Sequence, residues 1–104
     1  MEEKDIIKQK IISVLKRIYD PEIPVDIFEL GLIYNIEISE NFDVNLTMTL
    51  TAPNCPVADN IIQEVYIKVN EIEEVQNLDV HLTFDPPWNP EMASEIAQLE
   101  LGIL

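Results

Sequence analysis

Leu32-Ile33-Tyr34-Asn35-Ile36-Glu37-Ile38-Ser39, then Glu40-Asn41-Phe42-Asp43, then Val44-Asn45-Leu46-Thr47-Met48-Thr49-Leu50-Thr51: in this stretch apolar residues recur at every second position on both sides of a polar interruption. A period of two belongs to a strand, whose successive side chains point to opposite faces. Leu32, Tyr34, Ile36 and Ile38 are expected on one face, with Ile33, Asn35, Glu37 and Ser39 on the other. After the turn, Val44, Leu46, Met48 and Leu50 alternate with Asn45, Thr47, Thr49 and Thr51. The pair reads as an antiparallel hairpin with one face on a core.

Outward from the hairpin the period lengthens. Ile7, Ile11, Val14 or Leu15, and Ile18 stand three and four apart, which predicts an amphipathic helix over residues 4–18. Asp20-Pro21-Glu22-Ile23-Pro24 stops it, because proline disfavours the helical region for the residue before it. Asp26 to Leu30 reads as one helical turn ended by Gly31. Downstream, Ala58, Ile62, Val65, Val69 and Ile72 mark a second helix from Pro56 to about Asn70. Val80, Leu82 and Phe84 alternate with His81, Thr83 and Asp85 in a third strand, which Pro86-Pro87 ends. Asn89-Pro90 is an N-cap and proline start for a last helix bearing Met92, Ile96 and Leu99, with Gly102 as its stop. Trp88 is expected to pack on that helix as a hydrophobic staple. The expectation is an α+β fold of two layers: a small three-stranded mixed sheet covered by helices on one face, in the order α-β-β-α-β-α.

A chain of 104 residues supports one modest core, so residues 1–104 are expected to form a single domain. No apolar stretch approaches the roughly 18 residues that read as a membrane span. Met1-Glu2-Glu3-Lys4-Asp5 is charged rather than signal-like, and a cytoplasmic location is expected. The net charge of −14 is unevenly spread: residues 1–19 carry five basic groups against three acids, whereas everything from Asp20 onward carries Lys68 against seventeen acids. So acidic a body repels phosphate, which excludes nucleic acid and anionic membrane as partners. The basic first helix suits an acidic partner, and the acidic body a basic one.

Cys55, the only cysteine, sits in Thr51-Ala52-Pro53-Asn54-Cys55-Pro56, where the strand period gives way to the helical one. A cysteine before proline at a helix start occupies the N-cap, where free N–H groups and the helix dipole favour the thiolate. The plainer role is a small buried hydrophobe, and Asp59 together with the acidic body opposes ionisation. One cysteine and one histidine, His81, make neither a disulfide nor a closed zinc site. His81 is expected on an exposed strand face, which leaves a Cys-His nucleophile without its base. Asp20, Glu22 and Asp26 cluster within seven residues in a loop rigidified by Pro21 and Pro24, either as hard oxygen ligands or, more plainly, with Asp20 accepting loop hydrogen bonds and Glu22 solvated. Thr49 and Thr51 lie on the polar side of the second strand, where their hydroxyls are ordinary strand residues or donors to a thiolate and its loop.

Taken together, Asp20-Pro21-Glu22, Asp26, Leu30-Gly31-Leu32-Ile33, Thr49-Leu50-Thr51 with Cys55-Pro56, Pro87-Trp88 and Leu101-Gly102 resemble the SufT/PaaD-type iron-sulfur cluster assembly family. A similar domain precedes some Mrp-type P-loop ATPases. The resemblance runs over almost the whole chain in the right order. It implies a compact α+β domain that helps mature iron-sulfur proteins, with Cys55 as key residue and Asp20, Glu22, Asp26, Thr49 and Thr51 lining its neighbourhood. The chain has no P-loop and no cysteine-rich extension, so it reads as the short, stand-alone form, without ATP hydrolysis or phenylacetate-degradation work.

The expected function is therefore a non-enzymatic assembly or carrier factor in which Cys55 touches iron, an iron-sulfur cluster or a partner transiently. A thiolate is a soft ligand suited to such clusters, yet one per chain cannot supply the usual four. Bridging between two copies in a homodimer, carboxylate ligands, or the cysteines of assembly machinery and apo-protein clients must complete the set, or the isolated chain binds none. The alternatives are a protein-interaction adaptor with a structural cysteine and, more remotely, a cysteine-nucleophile enzyme.

Overall fold

The structure is a computed structural model that describes residues 2–20, 23–51 and 58–102. Helix α1 covers Glu3–Leu15, strands β1 and β2 cover Ile33–Ile38 and Asp43–Met48, helix α2 covers Ala58–Asn70, and β3 covers Asn77–Leu82. A short 3-10 turn at Pro90–Met92 precedes helix α3, Glu95–Leu101. The expected order α-β-β-α-β-α holds, and the three strands form one mixed sheet in the order β1-β2-β3. β1 and β2 are antiparallel, whereas β2 and β3 run parallel in register from Asp43 opposite Asn77 to Met48 opposite Leu82. A parallel neighbour requires a crossover, and α2 is that crossover.

The hairpin turns where the alternation pauses. Ser39 N donates to Asp43 O over 2.9 Å, and the Ser39 hydroxyl accepts from the N–H groups of Asn41 and Asp43. Phe42 takes a left-handed conformation (φ +64°), the geometry of a three-residue hairpin loop.

One face of the sheet meets α1 and α2. Ile7, Ile11 and Leu15 of α1 and Ile61, Val65 and Val69 of α2 are buried against Val44, Leu46, Met48 and Leu78. The buried stripe of α2 thus runs through Ile61 rather than the expected Ile62, which is only half-buried. Tyr66 ties α2 to the sheet by accepting the N–H of Val80 at 3.0 Å. The opposite face presents Asn35, Glu37, Asn45, Asp79 and His81 to solvent, so the two-layer expectation is met.

Three local expectations are corrected. The strict period of two fails in β1, where Ile33 faces Met48 while Asn35 faces Thr47: Tyr34 is an extra residue, a β-bulge. Ile33 and Ile36, three apart, therefore share the core face. β3 begins three residues before Val80 and ends at Leu82, which is exposed. The last helix begins at Glu95, capped by Ser94, whose hydroxyl accepts from Ala97 N, because Asn89 and Pro90 cap only the short turn before it. The later start turns Ala97 inward and leaves Ile96 70% and Leu99 60% exposed, not buried as the spacing suggests. The start of α2 at Pro56 lies outside the described residues.

Candidate functional site

The chain before β1 is a pinched loop. After α1, Ile18 and Tyr19 run beside Asp26 and Ile27: Ile27 N donates to Ile18 O (2.8 Å), Asp20 N donates to Val25 O (3.3 Å), and Tyr19 bridges Asp26. Buried Ile18, Val25 and Ile27 anchor both arms in the core. Asp20 and Asp26 are thereby held at 7% and 8% exposure. Their carboxylates serve the backbone. Asp20 Oδ1 accepts from Ile23 N at 3.2 Å, and Asp26 Oδ2 accepts from Glu29 N at 2.9 Å while its carbonyl accepts from Leu30 N. Asp26 thus caps the turn that the sequence predicts, and Gly31 ends it in a left-handed conformation, φ +80°.

Gly31 has a second reason to be glycine. A Cβ there would overlap the carbonyl oxygen of Met92 and lie 2.9 Å from its carbonyl carbon. The turn before α3 rests directly on it. Three more bonds fasten the same contact: Ser94 N donates to Glu29 O (2.8 Å), Trp88 Nε1 to Leu30 O (2.6 Å), and the Tyr34 hydroxyl to Pro86 O (2.8 Å). Trp88 is therefore a clamp on the Asp26 turn as well as an apolar contact, a role that its place before Asn89-Pro90 did not suggest.

Thr49 lies at the same end of the sheet. Leu32 joins the two parts, since its N–H donates to Ile27 O (3.2 Å) and its carbonyl accepts from Thr49 N (2.8 Å). Past the end of β2 the alternation collapses, and Met48, Thr49 and Leu50 are buried in succession. Thr49 is completely buried, not on an exposed polar face, and its hydroxyl has no hydrogen-bond partner among the described residues. The loop before β1 and the strap after β3 meet the chain here, with Thr83 N donating to Met48 O over 2.9 Å. Thr51 is half-buried at the bend that follows.

Ile27, the residue after Asp26, and Thr49 are thus both bonded through their main chains to Leu32, and Asp20 is fixed beside Val25. Cys55 and Glu22 lie outside the described residues; in sequence, Cys55 belongs to the segment joining Thr51 to α2. Among the described residues no group of three or more His, Cys, Asp or Glu is arranged to hold a metal ion. His81 stands on the open sheet face with Nε2 3.3 Å from Asn45 Oδ1, as its strand position predicts. No described helix is long and apolar enough to cross a membrane. Three of the five basic groups of residues 1–19 are paired within the molecule: Lys4 with Glu40, Lys10 with Glu74 and Lys16 with Glu29.

Comparison with known proteins matches residues 8–87 to the model of a family described as iron-sulfur cluster assembly protein. A protein of Porphyromonas gingivalis named Fe-S protein maturation auxiliary factor is 50% identical over 97 residues, covering 93% of this chain and 92% of that one. A Bacillus subtilis protein of the same name, YitW, is 37% identical over 96% of this chain and 98% of its own. The fold superimposes on a crystal structure of a domain of unknown function from Bacillus anthracis with a TM-score of 0.88 and 35% identity, over 96% and 95% of the two chains.

Proposed function

We propose, from the premise that the chain belongs to the iron-sulfur cluster assembly protein family, that it is a non-enzymatic factor assisting the maturation of iron-sulfur apo-proteins. The observation that carries this reading is the match along nearly the whole of both chains to a maturation auxiliary factor. Iron or a cluster is then cargo that passes through, with Cys55 as the contact.

The donor set supports cargo over a resident group. Cys55, the only cysteine, supplies one thiolate where a cluster usually takes four, and the carboxylates of Asp20 and Asp26 accept from backbone N–H groups. The remaining ligands are then those of a second copy, carboxylates, or the cysteines of the assembly machinery or the client. The buried Thr49 hydroxyl, without a described partner, is a donor held in reserve at the end of β2 from which the Cys55 segment departs. The expected compartment is the cytoplasm, where a lone thiol stays reduced.

Engagement of both aspartates in loop capping also favours a second reading, an adaptor whose Cys55 is structural. Anaerobic reconstitution with iron and sulfide, followed by transfer to an apo-client, separates the two. The carrier reading expects Cys55→Ala to fold normally, lose cluster absorbance and fail in transfer. Unchanged absorbance and transfer in that variant refute thiolate contact and leave the adaptor.

A further inference from the structure

The bulge at Tyr34 builds a groove that the functional reading does not use. By turning both Ile33 and Ile36 toward the helical layer, it sets two aliphatic side chains side by side along the outer edge of the sheet. Ile12 of α1 and Phe28 of the Asp26 turn complete the wall, and with Lys8, Tyr34 and Asn35 they line a cavity of 290 Å³ between α1 and β1. Four consecutive residues of β1, Ile33 to Ile36, lie along it.

β1 pairs only with β2, and its other edge has no strand beside it among the described residues. Such an edge offers a row of donors and acceptors to any extended chain laid along it. Charge selects what that chain carries. Of the four lysines of the first helical segment, Lys4, Lys10 and Lys16 are paired with glutamates, whereas Lys8, on the lip of the groove, has no ion pair among the described residues. Lys16, with Nζ 5.4 Å from the centre of the Phe28 ring, is paired with Glu29, which leaves Lys8 as the cation in the groove's lining. On a chain of net charge −14, Lys8 is the one charged residue among the described residues that line the groove, and it is basic.

We propose that the α1–β1 groove binds an extended segment of a partner protein by strand addition to β1, taking the segment's alternate aliphatic side chains on Ile12, Phe28, Ile33 and Ile36 and a carboxylate at Lys8. The peptide enters on the open edge, its main chain continues the sheet, and every second residue turns toward α1. The proposal is independent of Cys55 and of whether cargo is carried.

The test is a random-peptide phage library panned against the purified full chain, with the enriched peptides synthesised and titrated into isotope-labelled protein. The expected peptides alternate aliphatic and polar residues and contain an acidic group, and they shift the amide signals of residues 33–36. Lys8→Glu, a change at an exposed position that leaves folding intact, should weaken them about fivefold, the measure of one exposed charge pair. No enrichment, shifts confined to other residues, or binding indifferent to Lys8→Glu overturns the proposal. So does a wild-type dimer, seen by light scattering, that shields the β1 amides, since the edge would then belong to a second copy.

Discussion

Replacing Thr49 by valine should make the protein more stable and less useful. The Thr49 side chain is fully buried and its hydroxyl is without a partner among the described residues. An unsatisfied buried polar group costs roughly 1–3 kcal/mol. Valine keeps the β-branched shape and removes that penalty, so Thr49→Val should gain about 1 kcal/mol or more in urea unfolding. For a domain of this size that is a rise of roughly 4–8 °C in Tm. Thr49→Ser, which keeps the hydroxyl and deletes the methyl, should instead lose about 0.8 kcal/mol of transfer free energy, plus whatever cavity remains. The functional assay is anaerobic maturation of an apo-client, run beside the melts. A hydroxyl reserved for cargo or for the Cys55 thiolate predicts that the more stable Thr49→Val is the poorer factor, while Thr49→Ser retains activity. Destabilisation of Thr49→Val by 1 kcal/mol or more would refute the unpaired hydroxyl. A stabilised variant with full maturation activity would refute its reservation for function.

The two glycines make a controlled pair, since Gly31 and Gly102 have φ of +80° and +79° but only Gly31 lies against another backbone. Gly102→Ala should lose about 1 kcal/mol from left-handed strain alone, and Gly31→Ala roughly 1–3 kcal/mol more from the overlap with Met92; equal losses in urea unfolding would deny that close contact. Lys10, hydrogen-bonded to Glu74, holds that carboxyl below its ordinary range. A depressed folded-state pKa gives stability that is present above the unfolded value and lost as pH falls through the folded one. The stability difference between wild type and Glu74→Gln should therefore be flat near neutral pH, shrink below the ordinary carboxylate range, and fall in high salt because the pair is exposed; a difference independent of pH would remove the ion pair from the account.

Half of the candidate site could be read along the chain. The Asp26 turn, its glycine stop and Asp20 as a loop acceptor follow from proline and glycine positions, because those residues restrict φ and ψ where they stand. Trp88 shows the limit of such reading. Its position before Asn89-Pro90 predicts an apolar staple, and nothing local reveals that its indole N–H closes on Leu30, 58 residues earlier. The last helix illustrates the same limit, since two competing caps, Asn89 and Ser94, lie five residues apart. Attachment of Ser94 to Glu29 accompanies the later start, and the face carrying Ile96 and Leu99 points outward.

What the sequence by itself determined is the order of elements, the hairpin and the first two amphipathic helices, which depend on spacing between near neighbours, and the resemblance to the family, which rests on motifs spread along the chain. Periodicity survives folding because it reports which side of each element must leave water. Only the tertiary structure decided that Tyr34 is bulged, that Ile33 changes face, that Thr49 is buried and that Lys4 and Lys10 of the first helix and Lys16 just after it are spent on glutamates of the same molecule. Each of these depends on a partner many residues away. Register is a property of two strands, burial of a polar residue depends on what the chain later lays over it, and a charge is free or paired only once the fold has chosen its neighbours.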